Sequence, residues 1–242
     1  MSELGGQIAV VTGASSGIGR AVSLQLASEG ATVCLVGRDA GRLAAVARSA
    51  EEAGGRCVTY TVDLAVDSDV DGLRQRIERE FGWLDILVHS AGVIALGRLE
   101  KVGVDDVDRH YQINVRAADL LTCSLLPMLK ARRGQVVFMN STAGLEARAG
   151  IGRYAASKHA LRAMADSLRD EVNADGVRVL SVFLGRTASP MQAEVHRAEG
   201  RPYRPEELMQ PEDVASVVVN ALRLPRTAEV TEIRMRPMRK TT

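Results

Sequence analysis

Short β-branched apolar runs alternate with helical patterns from one end of this chain to the other, and nothing else in it restricts the fold as tightly. Gln7 to Thr12 is apolar at consecutive positions between Gly5-Gly6 and Gly13, as in a strand covered on both faces. A helical pattern starts at Ile18, carries Ala21, Val22, Leu24, Leu26 and Ala27, and closes at Gly30 as a C-cap. Further strands read at 31–36, 57–62, 84–89, 135–139, 177–184 and 230–235. Helices read at 43–53, 68–81, 104–129, 154–172 and, started by Pro211, 212–224. Strands that alternate with helices are joined by right-handed crossovers and lie parallel. The pattern therefore predicts an α/β chain, 1–242 as a single domain: a doubly wound, Rossmann-like fold on a seven-stranded parallel sheet. The last strand, with charges at alternate positions, reads as an edge. The one long irregular segment, about 185–210, carries Pro190, Pro202 and Pro205 and reads as a substrate lid.

Composition removes several functions. A net charge of +1 gives no electrostatic reason to expect nucleic acid or an anionic membrane as partner, and 3% aromatic residues make no stacking platform for bases. Cys34, Cys57 and Cys123 are odd in number, far apart and in apolar company, so they read as small buried hydrophobes in a reducing compartment. No basic, then apolar, leader opens the sequence and no run reaches membrane-span length; a cytoplasmic protein is the expectation.

Thr12-Gly13-Ala14-Ser15-Ser16-Gly17-Ile18-Gly19 lies between the first strand and the first helix. Glycines there allow a tight turn and close backbone approach, and a helix N-terminus offers N–H groups to a pyrophosphate. The spacing is Gly-x-x-x-Gly-x-Gly, so the likeness to the usual dinucleotide fingerprint is one of position and logic. The second strand ends Val36-Gly37-Arg38-Asp39. Gly37 stands where an acid would bind a free ribose 2′-hydroxyl, and Arg38 suits a 2′-phosphate, which favours NADP(H) over NAD(H). A shifted register would instead make Asp39 the ribose acid and leave Arg38 solvated.

Tyr154 and Lys158 are four residues apart and so share a helix face. An ammonium about 4 Å from a phenol, at an effective dielectric of about 20, is worth roughly 4 kcal/mol. That equals about three pKa units, enough to bring a tyrosine from near 10 toward about 7. Ser141 ends the fifth strand, at the carboxyl edge where open α/β sheets bind ligands, and its hydroxyl can donate to a substrate carbonyl.

Taken together, Thr12-Gly13-x-x-x-Gly17-x-Gly19, Asp63-Leu64, Ala91-Gly92, Asn114, Ser141 and Tyr154-x-x-x-Lys158 fall in the order and approximate spacing of the short-chain dehydrogenase/reductase family, and the chain resembles its compact single-domain form from about Gln7 to Met235. The resemblance implies an NAD(P)-dependent oxidoreductase acting on a CH–OH or C=O group of a small molecule, usually as a homodimer or homotetramer. By the family pattern Asp63 and Leu64 contact adenine, Ala91-Gly92 line the adenosine ribose, and Asn114 holds a water beside Lys158. Lys158 also reaches the nicotinamide ribose while Tyr154 carries the proton. The family's Asn-Asn-Ala-Gly appears here as His89-Ser90-Ala91-Gly92, with His89 read as a hydrogen-bonding replacement at the cofactor. Its Pro-Gly appears as Leu184-Gly185, with Thr187 placed to reach the carboxamide. No Cys, His or acid partner of His89 lies at metal-ligand spacing, so no metal is expected.

Expected pocket walls are Val93, Leu96, Thr142, Leu145, Arg148, Ile151, Leu184 and Met191, a mostly apolar set. His110, His159 and His196 read as solvated or capping groups. The competing reading is a non-catalytic NAD(P)-sensing regulator on the same fold, against which the intact Ser, Tyr and Lys argue.

Overall fold

The computed structural model describes residues 4–101 and 103–239. Five-residue β1 (Ile8–Thr12) is wholly buried, as its unbroken apolar run requires. It leads into α1 (Gly17–Ser28), β2 (Thr32–Gly37), α2 (Ala40–Glu52), β3 (Arg56–Thr61), α3 (Asp67–Glu80) and β4 (Ile86–His89). The second half runs α4 (Val104–Tyr111), a π-helical turn (Gln112–Arg116), α5 (Ala117–Arg132), β5 (Gln135–Ser141), α6 (Gly152–Val172), β6 (Arg178–Leu184), α7 (Pro190–Ala198), α8 (Pro211–Leu222) and β7 (Glu232–Met235).

All seven strands pair parallel in one sheet of order β3-β2-β1-β4-β5-β6-β7, so the winding reverses between β1 and β4. β7 is indeed an edge strand, with β3 at the other side. Strand residues alternate between two cores. Ala9, Val11, Leu35 and Val88 pack toward α1, α2 and α8, through Val22, Leu26, Leu43 and Val218. Val10, Cys34, Val36 and Phe138 pack toward α3, α5 and α6, through Leu73, Ile77, Leu125 and Leu161. At about 25 cal/mol per Å² of apolar area removed from water, these two layers hold the sheet rigid beneath its carboxyl edge.

Three sequence expectations change. The helix expected over 104–129 is broken by the π turn, because Asn114 turns its carboxamide into the protein (below). The segment expected to be irregular holds α7, begun by Pro190 after Ser189, whose Oγ accepts the Gln192 N–H at 3.1 Å. Cys34 is buried as expected, but Cys57 is only partly covered and Cys123 is exposed. Among the described residues no helix is long and apolar enough to cross a membrane.

Candidate active site

At the carboxyl edge of the sheet lies a cavity of about 830 Å³ at the winding reversal, where a doubly wound fold places its ligands. Its floor begins with the turn after β1. Gly13 has φ +66°, and a Cβ there would sit 2.9 Å from the Ala91 Cα; a Cβ on Gly19 would sit 2.4 Å from the Gly13 carbonyl oxygen. Only glycine fits either position: at Gly13 because the turns after β1 and β4 are in contact, and at Gly19 because α1 starts directly on the Gly13 carbonyl. Thr12 fastens them, its Oγ1 accepting the N–H groups of Ser90 and Ala91 at 3.1 Å each. The helix that follows has no side-chain cap on Ser16 and no acid in its first turn. Its N-terminal N–H groups and positive dipole end therefore face the cavity, walled by Ser15, Ser16, Gly17, Ile18 and Gly19.

Gly37 and Arg38 line one end, with Asp63 and Leu64 beside them. Arg42, which the sequence reading passed over, joins this wall. Asp39 does not. It caps α2, its Oδ1 accepting the Arg42 N–H at 3.0 Å, and it pairs with the Arg42 guanidinium at 3.3 Å. The exposed end of β2 thus presents guanidinium groups to the cavity and engages its carboxylate on its own helix.

The other end holds Ser141, Tyr154 and Lys158 together. Asn140 positions them: its Oδ1 accepts the Ser141 N–H at 2.7 Å and its Nδ2 donates to the Lys158 carbonyl at 3.1 Å, tying β5 to α6. Lys158 is buried, its Nζ donating to the Met139 carbonyl at 3.1 Å and lying 6.0 Å from the Tyr154 ring centroid. Burial pushes the Lys158 amine down to about 8. Burial also raises the Tyr154 phenol above its ordinary value, opposed by a side-chain hydrogen bond with Ser141. The expectation that Lys158, aided by the oxidised cofactor ring, lowers the Tyr154 pKa finds no support in the chain by itself: burial is the largest influence on the phenol, and the Lys158 amine is engaged at the Met139 carbonyl.

Asn114 stands just behind the wall. Its Oδ1 accepts the Val93 N–H at 2.8 Å, and its Nδ2 donates to the Val93 carbonyl and Ser157 Oγ at 3.0 Å each. A Cβ on Gly92 would lie 3.2 Å from Asn114 Oδ1 and 3.8 Å from Lys158 Nζ, so Gly92 separates the two side chains. His89 is not part of the wall, contrary to expectation. It is stacked on Phe138 at 5.0 Å in the core, with Nε2 2.8 Å from Thr122 Oγ1. The Thr122 hydroxyl proton is committed to the Ala118 carbonyl at 2.7 Å, so His89 donates from Nε2. Burial drives its pKa to about 3, and it stays neutral.

Thr187 lines the cavity, but its hydroxyl turns back to the Gly185 carbonyl at 3.2 Å. Ser189, unnoticed in the sequence, also lines it, against Gly17, where an added Cβ would come within 3.2 Å of the Ser189 Cβ. A Ser-Pro pair opening a helix was the signal for Ser189. Of the expected pocket walls only Leu145 falls outside the cavity lining. His110 and His196 are buried and His159 is exposed, so two of the three histidines read as surface groups are interior. Among the described residues no group of His, Cys, Asp and Glu has the arrangement of a metal site.

The short chain dehydrogenase family model matches residues 7–200. The chain is 36% identical over 97% of its length to glycine betaine reductase ATRR of Emericella nidulans, and spans 19% of that protein. It is 32% identical over 98% of its length to an uncharacterized oxidoreductase of Staphylococcus saprophyticus, all of which it covers. Among solved structures, a metagenomic short-chain oxidoreductase in complex with NADP superposes with a TM-score of 0.86 at 31% identity, over 99% of this chain and 100% of that one. The chain belongs to the short-chain dehydrogenase family and is an oxidoreductase of that family.

Proposed function

We propose that this protein is an NADP(H)-preferring carbonyl reductase or alcohol dehydrogenase of small molecules, with Ser141, Tyr154 and Lys158 as its centre. The observation that carries this reading is the convergence of those three side chains and the uncapped N-terminus of α1 on one cavity. The residues present fit a dinucleotide. Gly13 and Gly19 have no room for a Cβ, which keeps the turn after β1 compact, and α1 offers its first N–H groups to a pyrophosphate. Asp63 and Leu64 would flank the adenine, Ala91 and Gly92 its ribose, and Lys158 the nicotinamide ribose. Arg38 and Arg42 support the 2′-phosphate form, since Asp39, the acid a free 2′-hydroxyl would want, is engaged as a helix cap. The superposing oxidoreductase solved with NADP is consistent with that choice.

When bound, the nicotinamide supplies or accepts the hydride. The chain's own residues handle the substrate oxygen. Ser141 donates a hydrogen bond to it and stabilises negative charge as the carbonyl is reduced. Tyr154 gives that oxygen its proton, or removes it in the reverse direction. Lys158, charged below about pH 8, favours the deprotonated tyrosine electrostatically. Asn114 holds Val93 and Ser157 around this centre, and Val93, Leu96, Ile151, Leu184 and Met191 supply an apolar wall for the substrate body. As in the resemblance, the working form is a homodimer or homotetramer, which light scattering measures.

The test is a panel of ketones and aldehydes with NADPH and with NADH, following cofactor oxidation in the wild type and in Tyr154→Phe. Turnover faster with NADPH is expected, and a loss of about 10²–10⁴-fold in kcat for Tyr154→Phe, with NADPH binding retained. Wild-type turnover in Tyr154→Phe removes the proposed centre, and a preference for NADH removes the role of Arg38.

A further inference from the structure

The loop between β4 and α4 forms the substrate side of the cavity through Val93, Ile94 and Leu96, and it is held from outside by hydrogen bonds to its backbone. Asn114 holds Val93 at both N–H and carbonyl. The Gly150 carbonyl accepts the Gly97 N–H at 2.8 Å. Arg153, the residue before Tyr154, donates to the carbonyls of Leu99 and Gly103. A further tie is His110 on α4, whose Nε2 lies 2.8 Å from the Ala95 nitrogen.

That contact fixes the protonation state of His110. Ala95 N–H can only donate, so Nε2 must accept, and the imidazole is neutral with its proton on Nδ1. A proton added at Nε2 would set one N–H against another at 2.8 Å and break the tie. The ring is 2% exposed, with its centroid 6.0 Å from that of Tyr154. Nδ1 is buried; among the described residues the one group beside it that can take its proton is the Asp106 carbonyl one turn back on α4, outside good hydrogen-bond geometry. The charged groups around it are Asp106 and Arg109 on α4 and Arg153 on α6, together with the Tyr154 phenol. The loop's own Arg98 and Glu100 pair with each other in solvent at 2.8 Å. Burial dominates these influences and holds the imidazole below its ordinary pKa.

We propose that His110 is a positioning residue, which as a neutral hydrogen-bond acceptor holds the Val93–Leu96 wall against Tyr154, so that its protonation loosens substrate binding on the acid side. This rests on the reading of Tyr154 as the proton carrier. A histidine inserted only for packing would make no demand on its own charge; this one does, because its 2.8 Å contact with the Ala95 N–H requires a lone pair.

The test compares wild type, His110→Gln and His110→Phe from pH 8 down to the lowest pH at which all three stay folded, using NADPH and the best carbonyl substrate of the panel. Glutamine offers an amide oxygen to Ala95 and does not titrate; phenylalanine fills the space and offers nothing. The wild-type KM is expected to rise roughly tenfold as His110 takes up its proton, at a pH below the ordinary histidine range because burial opposes the charge, with kcat changing less, the size expected from losing one buried hydrogen bond. His110→Gln should keep a flat KM over the same range, and His110→Phe should have a raised KM at every pH. A wild-type-like acid rise in His110→Gln, or a normal KM at pH 7 in a folded His110→Phe, overturns the proposal. Hydrogen exchange of residues 91–101 without substrate, compared between wild type and His110→Gln at the same pH, decides the contact independently of turnover. Faster exchange in the wild type at the lowest pH at which both proteins stay folded, absent at pH 7.5, supports it, and equal exchange at both overturns it. If no carbonyl compound is turned over, the proposed function fails while the exchange measurement still decides the role of His110.

Discussion

Lys158 is an amine placed where the fold alone would not put one: 5% exposed, beneath the cavity, with burial lowering its pKa to about 8. The sign of the consequence follows from linkage. An unfolded lysine titrates near 10.4, so the folded state disfavours the proton, and the charged amine costs stability below pH 8. The shift is worth about 3 kcal/mol, and the bond from Nζ to the Met139 carbonyl offsets about 1 kcal/mol of it. Lys158→Met should therefore raise the unfolding free energy by about 2 kcal/mol at pH 7 while turnover collapses. The gain should fade as pH climbs from 8 to 10.5, where the wild-type amine becomes neutral. Urea unfolding at pH 7 and pH 10 reads both effects, and a variant less stable than wild type at pH 7 would refute the account. Stability given up for a charged group under a ligand cavity is the usual mark of a functional residue. The pairing of Tyr154 with Lys158 was legible from their spacing. The direction of the Tyr154 shift was not, because spacing says nothing of desolvation or of where the amine points.

Between β4 and β5 the chain departs from regular helix at one place, and Asn114 accounts for it. Periodicity over 104–129 is helical throughout, so the pattern shows no break; the π turn at Gln112–Arg116 comes from one polar side chain that the rest of the molecule needs inside. Three hydrogen bonds, to Val93 N–H, Val93 C=O and Ser157 Oγ, compensate that distortion. Asn114→Leu keeps the volume and removes all three, leaving Val93 polar groups short of partners. A loss of about 2–4 kcal/mol in unfolding free energy is expected, with faster hydrogen exchange in residues 91–96; a loss under about 1 kcal/mol would mean the π turn does not depend on Asn114. The same logic explains what could not be read around α7. Pro190, Pro202 and Pro205 suggest an irregular loop, yet Ser189 with Pro190 makes a helix start, and the other two prolines lie beyond its end at Ala198. Helix boundaries set by caps are written in the sequence, whereas those set by tertiary hydrogen bonds, as at Asn114, are not.

The molecule as a whole is a sheet with two apolar cores, and its alternation of strand and helix is legible because each strand is covered on both faces. The placement of polar groups within those cores is not, and His89 shows why this matters to the whole fold. It sits at the end of β4, 4% exposed, stacked on Phe138 of β5 and bonded to Thr122 of α5, so it joins the centre of the sheet to the helix layer. Burial takes its pKa to about 3, against about 6.5 in the unfolded chain. A lowered histidine pKa means that the unfolded state takes up the proton first. The stability this neutral group contributes is complete above about pH 6.5 and is lost progressively as pH falls toward 3. At pH 5 the loss from His89 is about 2 kcal/mol, and His110, shifted in the same direction, adds to it. Cooperative unfolding would then weaken below pH 6.5 even though no surface ion pair has been protonated. His89→Gln, whose amide nitrogen stands in for Nε2 and can still donate to Thr122, should start somewhat less stable at pH 7 because it loses the ring stacked on Phe138, yet lose about 2 kcal/mol less than wild type between pH 7 and pH 5. Urea unfolding at the two pH values measures the difference, and an equal drop in both proteins would show that His89 is not what makes the fold acid-sensitive. Were the drop equal in His89→Gln but smaller in His110→Gln, the sensitivity would belong to the loop at the cavity and not to the centre of the sheet.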